Sequence, residues 1–442
     1  MNELPSSITS GVSELGVDAG QVSLAERWYV LIMMCLVYTL SIADRYVVST
    51  VLDPIRLELH LTDSGVAMLT GLAFGLFYVI LGFPLSYLID RYNRRKIVAV
   101  CLVLWSAMTA VCGLARNSFE FFLARVGVTV GEAGGTPGAN SLLSDYFPAT
   151  RRAMALTVFS LGAPIGAYVG YNVAGNIADH YGWRMVFYAL GLPGVLAGIA
   201  VWFTVREPKR GCLDNGDDQT PTVADTMRFL WHQRSAVHVM MGTAVCALWG
   251  WGLMFWTPTF LMRTYQLSVG QAAAVTENMH LWGGGIATLA TGWLMARSSM
   301  TDARRIVWLL AAGIGIATVA SGVVYYTRDL AVAKAMLWIF IPAIYFYIGP
   351  GFGLLNNLAQ CRMRAMFCAM VLFLANLGNL VIAPPLIGGL SDWFARHLQV
   401  SNADSLRLAM LCLVPTGLWA TAHLFLSARD ILKDQERART YP

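Results

Sequence analysis

The sequence predicts an all-α membrane protein with twelve transmembrane helices arranged in two six-helix halves. Apolar residues make up 57% of the chain and charged residues only 13%, whereas a soluble domain is about one quarter charged. The mean hydropathy is +0.57. Twelve apolar windows are long enough to cross ~30 Å of hydrocarbon, and they lie at about 27–49, 64–88, 97–114, 119–143, 153–178, 184–205, 237–261, 271–296, 305–326, 333–358, 364–390 and 405–427.

Polar stretches divide the chain into five predicted parts. The first stretch is acidic and lacks the basic start of a signal peptide, so the first span is expected to remain in the mature protein. The stretch after Arg206 is rich in Gly, Asp, Pro and Lys, which is typical of a surface linker. The parts are an N-terminal tail at 1–26, a six-helix half at 27–206, a linker at 207–236, a second six-helix half at 237–428 and a C-terminal tail at 429–442.

The distribution of Lys and Arg predicts the orientation in the membrane. With a cytoplasmic N-terminus, 21 of the 31 basic side chains lie on the cytoplasmic side and eight on the other side. Cytoplasmic loops are generally rich in Lys and Arg. We therefore expect a multi-pass protein of the inner cell membrane with both termini cytoplasmic. This bias also explains the net charge of +5, and no basic cluster indicates nucleic acid binding.

Four charged residues lie away from the ends of the predicted spans of the first half. Span 1 contains Asp44 and Arg45, and span 4 contains Arg125 and Glu132. A charge in the middle of a membrane helix costs roughly 2.5–3.5 kcal/mol on insertion scales unless it is paired or hydrated. Such residues usually mark a path for an ion or a substrate.

Helix geometry gives these charges a relative depth. Asp44 and Arg125 each lie about six residues, or roughly 9 Å, from the outer ends of their spans. Glu132 lies two turns further along the same face as Arg125, roughly 10 Å deeper. We therefore expect Asp44 to pair with Arg125, and Glu132 to lie near the middle of the membrane.

The same geometry predicts a proton switch. Burial favours the protonated form of a carboxylate, whereas a nearby arginine favours the ionised form. Competition for an arginine between Glu132, Asp44 and an anionic head group would couple protons to cargo, with Arg125 binding the head group. The alternative is a static ion network that holds span 1 to span 4. Arg45 points about 100° away from Asp44 and either binds cargo or extends to the outer interface.

Aromatic residues of the second half supply a candidate site for an apolar tail. The candidates are Trp249, Phe255 and Trp256 on span 7 and Tyr345 on span 10. The alternative is ordinary packing or an interfacial belt, in which such residues are common. His280, near the outer end of span 8, is either a gate residue or a polar residue next to a solvated loop.

A short pattern recurs at the ends of spans 2, 5, 8 and 11. Its copies are Ser86–Asp90, Gly175–Asp179, Gly292–Ala296 and Gly389–Asp392. In the predicted orientation the first and third copies face the cytoplasm, and the other two face outward. This arrangement indicates three-helix units that are inverted within each half, as in many transporters.

The loop after span 2 carries a family resemblance. Asp90-Arg91-Tyr92-Asn93-Arg94-Arg95-Lys96 resembles the D-R-x-G-R-R/K loop of the major facilitator superfamily, and the twelve-span layout covers the whole chain. The resemblance implies a cytoplasmic gate that is closed in the outward-open state. The third copy of the pattern ends in Ala296 in place of an acidic residue, so the gate is expected to rely on Asp90. The alternative is that the basic residues only fix the topology. The implied gating residues are Asp90, Arg91, Arg94, Arg95, Arg151 and Arg152.

Two further stretches resemble the spinster-like branch of this superfamily. They are Ser41-Ile-Ala-Asp44-Arg45-Tyr46 and the segment from Arg125 through Gly131-Glu132-Ala133-Gly134 to Pro148. The resemblance implies alternating access, proton coupling and an amphiphilic lipid cargo of the lysophospholipid or sphingosine-1-phosphate type.

Other classes of protein find little support in the sequence. It contains no nucleophile motif with partners, no phosphate-binding loop and no metal-ligand spacing, so neither an enzyme nor a cofactor is expected. The expected partners are the lipid substrate, protons and the bilayer, and the chain is expected to act as a monomer. The alternatives are a proton-linked carrier of small organic anions or drugs, and a membrane receptor or structural protein without transport.

Overall fold

The computed structural model describes residues 23–208, 223–298, 302–360 and 363–440, and these residues form helices joined by short connections. The helices of the first half are span 1 at Leu24–Thr50, span 2 at Asp63–Ala67, Met68–Leu72 and Ala73–Arg91, span 3 at Arg94–Cys112, span 4 at Ser118–Tyr146, span 5 at Ala149–Ser160 and Gly162–Tyr181, and span 6 at Trp183–Thr204.

The second half repeats this layout. Its helices are span 7 at Arg234–Tyr265, span 8 at Val269–Asn278, Met279–Gly284 and Gly285–Ser298, span 9 at Ala303–Tyr326, span 10 at Leu330–Phe346 and Ile348–Leu358, span 11 at Arg364–Asn376, Leu377–Ile382 and Ala383–Leu398, and span 12 at Asn402–Leu413 and Pro415–Ser427. The middle segments of spans 2, 8 and 11 are π-helical. The predicted all-α fold with twelve spans is confirmed.

Short polar side chains begin many of these helices. Each accepts a hydrogen bond from the backbone N–H three residues further on, which satisfies a donor that the first turn would leave free. These residues are Ser23, Asn93, Asn117, Ser268 and Ser401. Asn93, which departs from the family's glycine, therefore begins span 3.

The regions that the sequence assigns to the C-terminal tail and the linker contain helices that the sequence does not predict. Helix Val223–Trp231 lies in the predicted linker, and span 7 begins at Arg234. Helix Ile431–Thr440 occupies the predicted C-terminal tail. The backbone N–H and hydroxyl of Ser235 donate to the Asp434 carboxylate, which attaches this helix to span 7. The remaining linker residues, 209–222, and residues 1–22 lie outside the described residues.

Within the described residues, ten helices are long and apolar enough to cross a membrane. Spans 4 and 8 are not among these ten. Span 4 carries Arg125 and Glu132, and span 8 carries the buried His280. Both spans outside the ten therefore carry buried polar groups.

Glycines allow the helices of the first half to approach closely. A Cβ added at Gly131 of span 4 would lie 2.6 Å from the carbonyl oxygen of Cys101 in span 3. A Cβ added at Gly191 of span 6 would lie 2.6 Å from the carbonyl oxygen of Ser106 and 2.7 Å from the amide nitrogen of Ala110. Because these neighbours are backbone atoms of span 3, the contacts depend on the missing side chains.

The molecule has two polar faces, which we name by the chain segments that meet there. The terminal face joins the start of span 1 to the end of span 6, where the Tyr29 hydroxyl donates to Thr204 at 2.5 Å. The distal face joins helix Leu52–Glu58, which follows span 1, to the start of span 6, where the indole of Trp183 donates to Glu58 at 2.6 Å. In the predicted orientation the terminal face is cytoplasmic.

Gly191→Ala is expected to destabilise the protein, because a methyl group cannot be accommodated against the backbone of span 3. Overpacking of this kind typically costs about 1–3 kcal/mol. The measurement is the thermal unfolding midpoint in detergent. The matched control is Gly389→Ala on span 11, where an added Cβ meets nothing within 4 Å. Equal midpoints for the two variants would contradict the proposed role of Gly191.

Candidate functional site

A central cavity of about 220 Å³ lies between the two halves, where spans 1, 7, 10 and 11 meet. Most of its lining is apolar or aromatic, which suits an apolar ligand group. The polar exceptions are few and converge from opposite halves. They are Arg45 and Ser49 on span 1, Thr243 on span 7 and Asn376 and Asn379 on span 11.

Arg45 is the charged member of the described cavity lining. Its side chain is 24% exposed, and its Nε and Nη2 atoms each lie 2.6 Å from Oε1 of Glu132. The guanidinium also lies over the rings of Phe74 and Tyr78, at 5.3 and 5.1 Å from their centroids. These contacts hold the cation at the cavity wall. The alternative that Arg45 extends to the outer interface is therefore wrong.

Glu132 lies behind Arg45 and is itself almost completely buried, with 1% of its side chain exposed. Its Oε1 accepts from the Ser41 hydroxyl at 2.6 Å and from Arg45. Its Oε2 has no hydrogen-bond partner. One oxygen is thus held by span 1, and the other is a buried atom on which a proton can reside.

Asp44 and Arg125 form the pair that helix depth predicts. Arg125 Nη1 donates to Asp44 Oδ2 at 2.8 Å, and both side chains are 2% exposed. The Thr109 hydroxyl donates to Asp44 Oδ1 at 2.6 Å, so both carboxylate oxygens have a donor. The pair links spans 1, 3 and 4 and does not line the cavity. Arg125 therefore does not face a ligand in this state. Arg45 instead supplies the charged group of the cavity lining.

The aromatic candidates of the second half divide into two groups. Phe255 lines the cavity, as does the neighbouring Trp251. Trp249 instead packs on Phe340 and donates to Ser321 at 3.2 Å, and Trp256 donates to the Pro384 carbonyl at 3.2 Å. Trp249 and Trp256 are both fully buried within the second half, so their assignment to a tail site is wrong. Helical rotation along span 7 separates them from the cavity-facing residues.

Tyr345 lies beside the cavity in a buried contact. Its hydroxyl lies 2.7 Å from Nδ1 of His280, and its ring packs edge-on against Trp251. His280 is fully buried, so it is not the polar loop neighbour that its position in the sequence permits.

The basic residues after span 2 make their described contacts inside the first half. Arg94 is 3% exposed and pairs with Asp145 at 2.5 Å and with Glu207 at 2.8 Å. Arg95 donates to the Val205 carbonyl at 3.1 Å, and its backbone N–H donates to Glu207 at 2.9 Å. These contacts fasten the end of span 6 to spans 3 and 4.

The remaining predicted gating residues contribute no described bridge between the halves. Arg91 is exposed and lies 4.3 Å from the ring centroid of Tyr87. Arg151 is exposed, and Arg152 donates to the Ser144 carbonyl at 2.8 Å. The side chain of Asp90 lies outside the described residues. Their role as a gate for another conformation stays a prediction.

The described ion pairs that join the halves lie at the distal face. Arg263, at the end of span 7, binds both oxygens of Asp63 at 2.7 and 2.8 Å and also binds Asp53 at 2.6 Å. Arg56 lies 2.9 Å from Asp53 and 3.5 Å from Asp63. The sequence does not predict this group, because acidic and basic residues just outside spans are usually solvated.

Two carboxylates reinforce the distal closure in matching positions. Asp392, in the last two turns of span 11, accepts from the backbone N–H groups of Asp63 and Ser64, at the start of span 2, at 3.1 and 2.9 Å. Asp179, at the end of span 5, accepts from the Ser268 hydroxyl at 2.6 Å and the Gly270 N–H at 3.0 Å, at the start of span 8. A carboxylate at a helix N-terminus is stabilised by the free N–H groups and the helix dipole. Both carboxylates end copies of the repeated pattern.

The fold and the central cavity agree with a comparison to known families. The model of the Major Facilitator Superfamily matches residues 34–381. The chain therefore belongs to the major facilitator superfamily and is a multi-pass membrane transporter.

Its relatives place it in the spinster-like branch of that superfamily. It is 29% identical to a bacterial homolog of the human lysosomal transporter Spinster, solved in an inward-facing and unoccupied conformation; the match has a TM-score of 0.82 and covers 93% of this chain and 99% of that one. It is 30% identical to protein spinster homolog 3 of Danio rerio over 55% of this chain and 49% of that protein. The chain thus spans about half the length of that relative.

A bacterial relative covers more of the sequence. The chain is 28% identical to an "MFS-type efflux pump" of Mycolicibacterium smegmatis, over 88% of this chain and 89% of that protein. The inward-facing relative and the closed distal face support transport by alternating access.

Arg263→Gln is expected to shift the protein toward a state with an open distal face. Removing one partner of a buried ion pair typically costs about 3–5 kcal/mol, because the remaining carboxylates keep their charge without a counterion. The measurement is the distance between spin labels at Leu57 and Gln266, which lie in different halves, in protein whose native cysteines are replaced.

The control for this measurement is Arg328→Gln. Arg328 is 71% exposed and pairs with Asp404 inside the second half, so its loss is expected to cost less than about 1 kcal/mol. An unchanged distance distribution in Arg263→Gln would show that this cluster does not keep the distal face closed.

Proposed function

We propose that the protein is a secondary active transporter that moves an amphiphile with an anionic head group, of the lysophospholipid or sphingosine-1-phosphate type, together with protons. The observation that carries the proposal is the position of Arg45. It faces the cavity and at the same time neutralises Glu132, whose second oxygen has no partner. One cation is therefore shared between a ligand position and a proton position.

Ligand binding at Arg45 supplies the coupling step. An anionic head group in the cavity competes with Glu132 for the guanidinium, because phosphate and carboxylate both accept its N–H donors. When Arg45 turns toward the ligand, Glu132 is left buried with only the Ser41 hydroxyl as a donor. An unpaired buried carboxylate is costly, so it takes up a proton on Oε2. Head group and proton then occupy the protein together.

Asp44 and Arg125 have a supporting part in this proposal. Each is fully buried, and Asp44 has donors on both oxygens. The pair fixes span 1 against spans 3 and 4 and thereby sets the position of the adjacent Arg45. In this proposal proton coupling stays with Glu132 and head-group binding with Arg45, whereas Asp44 and Arg125 do not take the direct roles that the sequence predicts for them.

The apolar part of the cavity suits the tail of the amphiphile. Trp251, Met254 and Phe255 of span 7 line it together with Phe352 of span 10 and Leu372 of span 11. Burial of each methylene contributes about 0.8 kcal/mol, so tail length is expected to govern affinity. Tail and head group would then contact different halves, which links occupancy to their relative motion.

The membrane setting completes the proposal. We place the protein in the inner membrane as a monomer with both termini cytoplasmic, following the distribution of Lys and Arg. The terminal face, opposite the closed distal face, is then cytoplasmic. Reopening of the distal face with the head group and proton bound moves both across the membrane.

A carrier of small organic anions or drugs is the second candidate. The relative described as an efflux pump favours it, because that match covers almost the whole length of both chains. Arg45 would bind the anionic group of such a compound in the same way. The two candidates differ in whether an apolar tail contributes to binding.

Tail-length competition separates the candidates. The probe is lysophosphatidylglycerol, whose single negative charge does not change between about pH 5 and pH 8, and the competitor is its tail-free head group, glycerophosphoglycerol. A lipid carrier is expected to bind the lipid at least ~100-fold more tightly than the head group in reconstituted protein, because several methylenes are buried. Equal affinities would favour the small-anion carrier.

Arg45→Gln is expected to weaken lysophosphatidylglycerol binding by about 10- to 100-fold, the value of a hydrogen bond to a charged group. The matched control is Arg116→Gln, an exposed arginine of the loop between spans 3 and 4. A binding constant for Arg45→Gln within twofold of the control would exclude Arg45 as the head-group ligand.

Glu132→Gln is expected to remove the pH dependence of binding. In the wild type, proton uptake by Glu132 accompanies the ligand, so affinity rises as pH falls, by up to about tenfold per pH unit. The neutral amide cannot take up the proton, and the curve becomes flat. The control is Glu120→Gln in the exposed first turn of the same span. If Glu132→Gln kept the wild-type slope, Glu132 would not be the coupling site.

A further inference from the structure

Four buried polar rings from four spans meet between the halves. They are Tyr46 of span 1 and Tyr171 of span 5 in the first half, and His280 of span 8 and Tyr345 of span 10 in the second half. Their exposed fractions are 5, 0, 0 and 2%. The contact between the four rings therefore exists only while these spans are together. Its titratable imidazole, that of His280, is a different group from the Glu132 carboxylate.

The imidazole lies at the centre of this cluster. Its Nδ1 is 2.7 Å from the Tyr345 hydroxyl. Its ring centroid lies 5.0 Å from that of Tyr46 and 5.3 Å from that of Tyr171. Span 10 approaches closely because Gly284 has no side chain: an added Cβ there would lie 2.7 Å from the Tyr345 ring.

The cluster is packed but not satisfied as a hydrogen-bonding group. Nε2 of His280 and the hydroxyls of Tyr46 and Tyr171 are buried without a hydrogen bond of normal geometry. Buried polar atoms usually have a partner, so three such atoms in one contact require an explanation. The backbone around His280, Met279–Gly284, is π-helical, a feature that is frequent at functional sites.

The charges around the cluster favour a neutral imidazole. The titratable groups that face it from spans 1, 5 and 10 are the three phenols. On its own span, Glu277 lies one turn earlier and accepts from Asn172 of span 5 at 3.3 Å. Arg45, next to Tyr46, is turned to Glu132. Among the described residues no carboxylate pairs with His280, so an imidazolium here would be buried without a counterion.

We propose that His280 is a second proton-binding site, which makes closure of the distal face depend on pH. When spans 1 and 5 separate from spans 8 and 10, solvent reaches the imidazole and it takes up one proton on Nε2. Closure returns that proton to the solvent, because only the neutral ring fits among the three phenols. The site goes beyond the coupling proposed for Glu132 and does not depend on it.

The size of the effect follows from linkage. If only the open state binds the proton, the ratio of open to closed protein rises up to about tenfold per pH unit below the ordinary histidine pKa of about 6.5. Above that value the ratio is constant. Acid conditions thus favour an open distal face.

The test measures the open fraction by the Leu57–Gln266 spin-label distance in full-length protein in nanodiscs between pH 5 and pH 8. In the wild type the long-distance fraction is expected to increase on acidification. His280→Asn is expected to abolish the increase, because the amide can replace the Nδ1 contact with Tyr345 but does not titrate. The control is His397→Asn, an exposed histidine on span 11.

Two further variants complete the design. Tyr345→Phe removes the partner of the neutral imidazole, weakens closure and is expected to move the opening midpoint to higher pH; an unchanged midpoint would count against the proposal. Glu132→Gln is expected to retain the pH-dependent opening even though it loses pH-dependent ligand binding, which separates failure of this proposal from failure of the coupling mechanism. A wild type without a pH response, or a wild-type response in His280→Asn, would overturn the proposal.

Discussion

Arg45 and Glu132 form an ion pair with unequal surroundings, since the arginine faces a cavity and the carboxylate is fully buried. Breaking such a pair leaves a buried charge, which typically costs about 3–5 kcal/mol. The neighbouring contacts restrict the positions that the two side chains of the pair can adopt. Asp44 and Arg125 fix span 1, and the rings of Phe74 and Tyr78 hold the guanidinium at the wall. A ligand that replaces Glu132 at Arg45 therefore changes the charge state of the site.

Closure of the distal face follows a related principle. Arg263 neutralises Asp53 and Asp63. Asp392 and Asp179, each in the last two turns of its span, bind the first N–H groups of a span in the other half. The same contact thus occurs twice, as expected when the second half repeats the first. These contacts are lost when the halves separate, so closure of the distal face is reversible. The buried ring cluster around His280 lies further inside the protein than these contacts. In our proposal, protonation of His280 shifts the same equilibrium between the closed and the open distal face.

The sequence predicts the spans, the buried charges and the Asp44–Arg125 contact, because hydropathy and helical depth need only local information. It does not predict which arginine faces the cavity. Arg45 and Asp44 are adjacent, and their directions depend on how span 1 is rotated against spans 3 and 4. The prediction that Trp249 and Trp256 bind the tail is wrong for the same reason. Composition cannot separate a packed aromatic residue from one that lines a cavity. The repeated pattern marks Asp179 and Asp392, but only tertiary contacts show that they bind helix N-termini.

In the proposed mechanism an anionic ligand and a proton bind together because both depend on Arg45. Isothermal titration calorimetry of lysophosphatidylglycerol binding, in buffers of equal pH but different ionisation enthalpy, measures the protons taken up per ligand. We expect an uptake of up to about one proton in the wild type, and its disappearance in Glu132→Gln. Ligand binding without proton uptake in the wild type, or equal uptake in the two proteins, would contradict it.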